Sequence, residues 1–360
     1  HPNVIDKIPL IPDLSDPNLW VPLLLIPLSV QWWASYYPGA EPGGGGYIAQ
    51  RMFSAKDESN AVKATFLFNV AHYALRPWPW ILIALSSLII FPELTDIQTT
   101  FPTLSSDKLG HDVAYPAMLT LLPPGLLGLV VASLIAAFMS TMSTQLNLGA
   151  SYLVNDFYHR FINPDASEKQ LVLAGRLFTV ISVFLGGGLG LLLTSAGQAF
   201  TLLLMIGAGT GLIYILRWFW WRINAYTEIV AMVSSIVIAG YFNFANTGLE
   251  DWQKITIGAA LTTVVWLLAT YITPPDNEET LRNFVKKVNP GGPGWAKYTD
   301  KTPEEPWPVP NGILCMVLGC IATYSFLLGV GQLIYGQIES GILICSLGLI
   351  SSFGLFKLWK

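Results

Sequence analysis

Four hydroxyl side chains lie within five residues of an otherwise apolar stretch, Ala136 to Thr144. At helical spacing one stripe of the helix surface carries the small and hydroxyl residues Ala137, Ser140, Thr141 and Thr144. Hydroxyl and freed carbonyl oxygens are hard, uncharged ligands that suit an alkali cation, and they bind it weakly enough to release it. Small residues are also typical of closely packed membrane helices, so the pattern alone fits either a cation site or a packing seam.

A second polar group consists of Asn69, His72 and Arg76, whose spacings of three and four place them on one face of a predicted helix. Ionisable groups inside a membrane span normally face a cavity. His72 is near the middle of this span, where an imidazole can donate and accept hydrogen bonds to a hydroxylated or zwitterionic solute. A packing histidine fits equally well. Arg76 precedes the Pro-Trp-Pro-Trp sequence that ends at Trp80, so a structural role near a helix kink fits Arg76 at least as well as a functional one.

The third candidate is Glu41, which lies in the proline- and glycine-rich break from Pro38 to Gly46. Such a segment cannot hold a continuous helix. Non-helical backbone at membrane depth occurs only where it is buried in protein or lines a cavity, as in the broken helices of transporters, and there Glu41 would be a polar anchor. An exposed loop with a solvated Glu41 is the alternative interpretation.

The composition explains why these polar groups stand out. Of the 360 residues, 52% are hydrophobic and 12% are charged, against about 25% charged in an average soluble protein. The mean hydropathy is +0.51. A net charge of −4 without a run of basic residues excludes an electrostatic footprint for nucleic acid.

Apolar runs separated by charge, proline and glycine predict an all-α polytopic membrane protein with about nine transmembrane helices. The predicted ranges are 19–37, 64–91, 124–147, 170–193, 197–218, 226–246, 254–273, 309–333 and 338–357. Basic and acidic connectors alternate along the chain, so the basic ones are predicted to face the cytoplasm. One external connector is predicted to contain a short helix at 114–122.

The connectors also set the predicted domain boundaries. Residues 1–273 form a seven-span block, 274–308 a cytoplasmic loop rich in proline, glycine and charge, and 309–360 a C-terminal two-helix segment. The chain begins at His1 and enters an apolar helix without a signal peptide. We therefore expect it to be the C-terminal part of a longer protein.

Two stretches resemble the sodium/solute symporter family, which includes bacterial sodium/galactose and sodium/proline symporters. The first runs from Tyr47 to Lys56. The second runs from Ala136 to Asn147, continues through Asn155 to Phe161 and includes Gly175-Arg176. The resemblance implies the second half of a five-plus-five inverted-repeat fold with extra C-terminal helices. It places the sixth to tenth core helices and two following spans in residues 1–273.

The resemblance also implies roles for particular residues. One sodium ion would be held by the Ala137 carbonyl and the Ser140 and Thr141 hydroxyls, together with carbonyls of a first core helix that this chain lacks. A sugar-contacting position falls on His72, where the galactose symporter has lysine, and this leaves sugar specificity open. A polar contact from the tenth core helix falls on Gln198 or Thr201.

These observations favour sodium-coupled symport of a small organic solute by alternating access, with Glu41, His72 and Asn69 near the solute. The cargo is a sugar, polyol, amino acid or carboxylate, and sodium is co-transported rather than held as a tight cofactor. The expected surroundings are the lipid bilayer of a plasma membrane, in particular a bacterial inner membrane, and no obligate protein partner is evident. Proton-coupled or uncoupled transport by the same fold remains an alternative.

Two further classes are less favoured. A transporter-like sensor would need an output domain, whereas the sequence ends at Lys360 directly after its last predicted span. An enzyme would need a cluster of ligands or an activated nucleophile, and the four histidines are scattered.

Overall fold

The computed structural model describes residues 13–33, 52–193, 196–299, 307 and 309–359, which form helices and connectors with no strand among them. In chain order the helices are α1 Pro17–Ser29, α2 Glu58–Asn69, α3 Trp78–Ile90, α4 Leu94–Thr100, α5 Ala114–Leu119, α6 Pro124–Tyr152, α7 Glu168–Leu192, α8 Ala196–Phe219, α9 Ala225–Phe244, α10 Asp251–Ile272, α11 Glu278–Val288, α12 Val309–Ile334 and α13 Ile338–Leu358. Two helices continue with π-helical geometry, α2 through Val70–Leu75 and α6 through Leu153–Ile162.

Eight segments of the described chain are long and apolar enough to cross a membrane, and α2 with α3 counts as one of them. The remaining predicted span, 19–37, corresponds to α1, which is shorter than a membrane-length helix. The predicted continuation of this span to residue 37 lies partly outside the described residues. The predicted all-α polytopic membrane fold is confirmed. The short helix predicted at 114–122 is present as α5.

The chain divides into two compact units, one formed by residues 1–82 and 199–360 and the other by residues 83–198. In the second unit α7 packs against α6 and its π-helical continuation, where Val154 contacts Gly175. The most apolar windows of α6 and α7 have no buried residue in this chain. Both helices therefore expose a membrane-length apolar surface.

In the first unit α8, α9 and α10 share a core in which small and hydroxyl residues allow close packing. Ser235 donates to the Ile206 carbonyl at 2.7 Å, and the hydroxyls of Thr227 and Thr270 are 2.9 Å apart. Trp266 is 1% exposed in the same core. The 3₁₀ turn Gln31–Trp33, which follows α1, joins this bundle because Trp33 donates from Nε1 to the Ala208 carbonyl at 3.1 Å.

Asn224 ties the start of α9 to the end of α10. Its side chain accepts from the Thr227 backbone amide at 3.0 Å as the N-cap, and it donates to Thr273 Oγ1 and the Pro274 carbonyl, both at 3.1 Å. We expect Asn224→Ala to destabilise the full-length protein by about 1–3 kcal/mol, since it removes a cap and leaves buried partners unpaired. Thermal unfolding in lipid nanodiscs would measure this. Asp57→Ala, at the exposed N-cap of α2, is the matched control and should cost less; equal losses would contradict the interpretation.

The hairpin of α12 and α13 packs against α2 and its π-helical continuation. Trp78 is buried at the start of α3, and its ring occupies the space that a Cβ at Gly331 would need. Before His72 in the chain, Phe66 of α2 meets Phe356 edge to face, with ring centroids 5.3 Å apart. The C-terminal hairpin thus contacts the chain on both sides of His72.

The segment that we call the clamp segment, residues 277–299, contains α11 and a 3₁₀ turn at Pro293–Tyr298. The sequence predicted a loop here, and a flexible linker was the expected character. The structure shows an ordered segment instead, because the apolar face of α11 packs on Trp295 and Tyr298, which are 3% and 7% exposed. Trp295 Nε1 also donates to the Trp218 carbonyl at 2.9 Å.

Candidate functional site

Ala137, Ser140 and Thr141 lie together near the middle of α6, and all three are exposed in this chain. The helix is continuous there, so the three residues share one face by their spacing. They belong to the second unit.

The hydroxyls on α6 differ in what they bond. Thr144 donates to the Ser140 carbonyl at 2.9 Å, and Ser133 to the Val130 carbonyl at 2.8 Å, which is the usual way for a membrane helix to satisfy a hydroxyl. By contrast, the hydroxyls of Ser140 and Thr141 make no hydrogen bond to any described residue. Their oxygens therefore remain available as ligands.

His72 sits in the π-helical continuation of α2, inside the membrane-length segment Glu58–Ile90. Arg76 Nη1 is 2.8 Å from His72 Nδ1. The imidazole stacks on Phe68 with ring centroids 5.0 Å apart and meets Tyr73 edge to face at 4.8 Å. The ring is thus held by three neighbours on its own helix, and π-helical segments are frequent at functional sites.

Asn69 does not join this group. Its side-chain amide donates to the Thr65 carbonyl at 2.8 Å, one turn earlier. π-helical geometry begins directly after Asn69 and uses more residues per turn than a regular helix. The side chains of Asn69 and His72 therefore do not have the relative directions that a regular helix would give them. The structure therefore pairs His72 with Arg76 and leaves Asn69 bonded to its own backbone.

The remaining predicted solute contacts are distributed along α8 and upstream of α2. Thr201 has its hydroxyl 3.5 Å from Asp251 Oδ2, at the start of α10. Gln198 lies one turn earlier on α8 and is half-buried. Glu41 lies outside the described residues.

Sequence reasoning placed Arg76 on one helix face with Asn69 and His72 and left its role open, but it did not predict the direct contact between Arg76 and His72. The signal was available, because residues four apart on a helix are neighbours. Arg76 also places its guanidinium over the Trp80 ring, 4.9 Å from the centroid. The contact with Trp80 fits the structural role considered for Arg76, and the contact with His72 adds a second role.

In the part of the chain that the structure describes, eight apolar segments are long enough to cross a membrane; one carries the exposed Ser140 and Thr141 hydroxyls and another carries the paired His72. This arrangement is that of a polytopic α-helical membrane protein. A family model, the sodium:solute symporter family, matches residues 28–237. The chain belongs to this family.

Individual relatives carry names that describe different cargoes. The chain is 26% identical to a sodium/glucose cotransporter of Vibrio parahaemolyticus over 280 residues, 74% of this chain and 50% of the relative. It is 29% identical to the sodium/myo-inositol cotransporter 2 of Oryctolagus cuniculus over 189 residues, 49% of this chain and 27% of the relative. It is 25% identical to a sodium/proline symporter of Haemophilus influenzae over 172 residues, 45% and 33% of the two chains. The matches thus span half or less of these relatives' length.

Proposed function

We propose that the whole protein to which this chain belongs couples the entry of sodium to the uptake of a small organic solute. The observation that carries the proposal is the pair of hydroxyls of Ser140 and Thr141, which bond no described residue and lie on a membrane-length helix within the matched family region. Together with the Ala137 carbonyl they offer sodium uncharged oxygen ligands. Sodium here is co-transported cargo, not a resident cofactor.

The solute is a sugar, polyol, amino acid or carboxylate, and His72 is its principal contact on this chain. Asn69, Gln198, Thr201 and Glu41 are further proposed contacts. Glucose, myo-inositol and proline, named for the relatives, share oxygen atoms that accept hydrogen bonds. An imidazole N–H inside a membrane span suits such oxygens.

Coupling follows from differential affinity between conformational states. Sodium bound at α6 stabilises the outward-open state, so that the solute binds better when sodium is present. One helix bundle then rocks against the other while sodium and solute are bound. On the inside sodium binds weakly and dissociates, and the solute is released with it. In this proposal residues 1–273 are the core portion, 274–308 face the cytoplasm and 309–360 form the C-terminal pair.

The proposed location is the plasma membrane, and in a bacterium the inner membrane, because a sodium gradient that can drive uptake is maintained across it. The surrounding partner is the lipid bilayer, which the exposed apolar faces of α6 and α7 suit.

The test is uptake of radiolabelled D-glucose, myo-inositol and L-proline by the full-length protein in proteoliposomes. At fixed pH, external sodium is replaced by choline. We expect uptake of at least one solute to need sodium. If replacing sodium by choline leaves uptake unchanged and an imposed pH gradient drives it, the same fold couples transport to protons instead.

A further inference from the structure

The contact between Arg76 and His72 determines where the imidazole carries its proton. A guanidinium only donates hydrogen bonds, and it does not lose its proton in proteins. His72 Nδ1, 2.8 Å from Arg76 Nη1, must therefore be the acceptor. A ring that accepts at Nδ1 is neutral and carries its hydrogen on Nε2.

The neighbours of the pair hold this arrangement in place. Phe68 stacks on the imidazole at an interplanar angle of 18°, and Tyr73 meets it at 81°. On the other side of the pair, the guanidinium lies over Trp80. The backbone between them is anchored too, because Ala74 is fully buried in the segment that packs on α12.

We propose that Arg76 is a positioning residue for solute binding, and that it holds His72 as the neutral tautomer whose Nε2–H donates to an oxygen of the solute. This inference rests on the proposed function, since it takes His72 to contact the solute. It also specifies which chemical group of the solute can bind there. His72 offers the solute a hydrogen-bond donor and no acceptor, and the Arg76 guanidinium beside it is a cation. The group recognised is therefore a hydroxyl, carbonyl or carboxylate oxygen, and an ammonium group is rejected there.

The experiment measures the half-saturating solute concentration and the maximal rate separately, for the full-length protein in proteoliposomes. D-glucose and myo-inositol supply hydroxyl oxygens and L-proline a carboxylate, so the transported probe identifies the source of the oxygen.

His72→Asn should raise the half-saturating concentration of the solute about tenfold. His72→Gln should raise it about threefold or less, because the amide N–H of Gln lies near the position of the Nε2–H of His72. Arg76→Gln should also raise it about tenfold with a smaller change in maximal rate, and Arg76→Lys should recover most of the affinity.

A double-mutant cycle separates positioning from general structural support. If Arg76 acts through Nδ1, Arg76→Gln should change the half-saturating concentration less than about twofold when His72 is already Gln, which has no Nδ1. Equal effects in both backgrounds would overturn the proposal, as would a fall in maximal rate alone. Arg160→Gln is the matched control, because Arg160 lies over the Phe161 ring on another helix. It should leave solute affinity unchanged.

A measurement that needs no solute keeps the inference separate from the proposed function. In ¹⁵N-histidine-labelled full-length protein in nanodiscs, the His72 signals are identified by their loss in His72→Gln. We expect an unprotonated Nδ1 and a protonated Nε2 in the wild type, and a mixture of tautomers in Arg76→Gln. Protonated Nδ1 in the wild type would refute the inference even if sodium-dependent uptake is found. Failure of sodium dependence with the expected tautomer would refute the coupling and leave the tautomer assignment intact.

Discussion

The double variant Ser140→Ala, Thr141→Ala should lose sodium-stimulated uptake in the full-length protein. Each hydroxyl oxygen withdrawn from the ion removes a charge-assisted contact of about 1.5–3 kcal/mol, so the apparent sodium affinity should fall by roughly two to four powers of ten. Neither hydroxyl is bonded to a described residue, so no hydrogen bond in that part of the chain is broken by the substitutions. The measurement is the sodium concentration that gives half-maximal uptake in proteoliposomes.

Two further variants make this result specific. Ser133→Ala removes a hydroxyl from the same exposed helix, but that hydroxyl already donates to the Val130 carbonyl, so sodium dependence should be unchanged. Thr141→Ser keeps the oxygen and should retain most of the sodium affinity. The same half-maximal sodium concentration in the double variant and in Ser133→Ala would exclude these two hydroxyls as sodium ligands.

Most membrane-length helices could be predicted from the sequence because each is a long apolar run bounded by charge, proline or glycine. The predicted 197–218 and 338–357 match α8 and α13 to within one residue at each end. The π-helical segments could not be predicted, since a hydrophobic pattern does not distinguish one extra residue per turn from a regular helix. This matters at Val70–Leu75, because the π-helical geometry that begins after Asn69 changes how Asn69 faces relative to His72, whereas the contact of His72 with Arg76 follows from their spacing of four.

The structure of the clamp segment was harder to predict from the sequence for a different reason. Asn277 caps Thr280 at 2.7 Å, acidic residues occupy the first turn of α11, and Lys286 and Lys287 the last. These are ordinary signals for a helix. The surrounding prolines and glycines predicted a linker, but the burial of Trp295 depends on partners about 75 residues earlier in the chain, such as Trp218. Local composition carries no information about such a partner.

For the candidate site, the sequence could predict residue types but not their bonding. The hydroxyl stripe was visible in Ala136 to Thr144, and the family resemblance selected Ser140 and Thr141 from it. The structure adds that the Thr144 hydroxyl donates to the Ser140 carbonyl, whereas the Ser140 and Thr141 hydroxyls bond no described residue. The assignment of sodium as the ligand came from the family resemblance, because small residues in a membrane helix are equally typical of packing. The family match is confirmed, and the residue assignments remain predictions.

The second large effect is expected from Gly294→Ala in the clamp segment. A Cβ at Gly294 would fall on the backbone carbonyl of Phe219, at the end of α8, and backbone cannot rotate away as a side chain can. The segment would have to retreat, which would weaken the bonds from Trp221 N–H to the Gly294 carbonyl and from Trp295 Nε1 to the Trp218 carbonyl. We expect a loss of about 2–4 kcal/mol, combining overpacking with one lost hydrogen bond.

Thermal unfolding of the full-length protein in nanodiscs measures this loss, and Gly240→Ala is the matched control. Gly240 lies on α9 with nothing within 4 Å of its added Cβ, so alanine there should be neutral or stabilise the helix by up to about 1 kcal/mol. Trp295→Phe removes the indole N–H and part of the ring, while the remaining phenyl ring can still stack on Phe284, whose ring centroid is 4.9 Å from that of Trp295 in the wild type. It should cost about 1–3 kcal/mol, because a buried hydrogen bond is lost and a small cavity is left. If Gly294→Ala and Gly240→Ala unfold at the same temperature, the clamp segment does not stabilise the end of α8. If only Gly294→Ala and Trp295→Phe lower the unfolding temperature, the contacts of Gly294 and Trp295 with the end of α8 provide that stability.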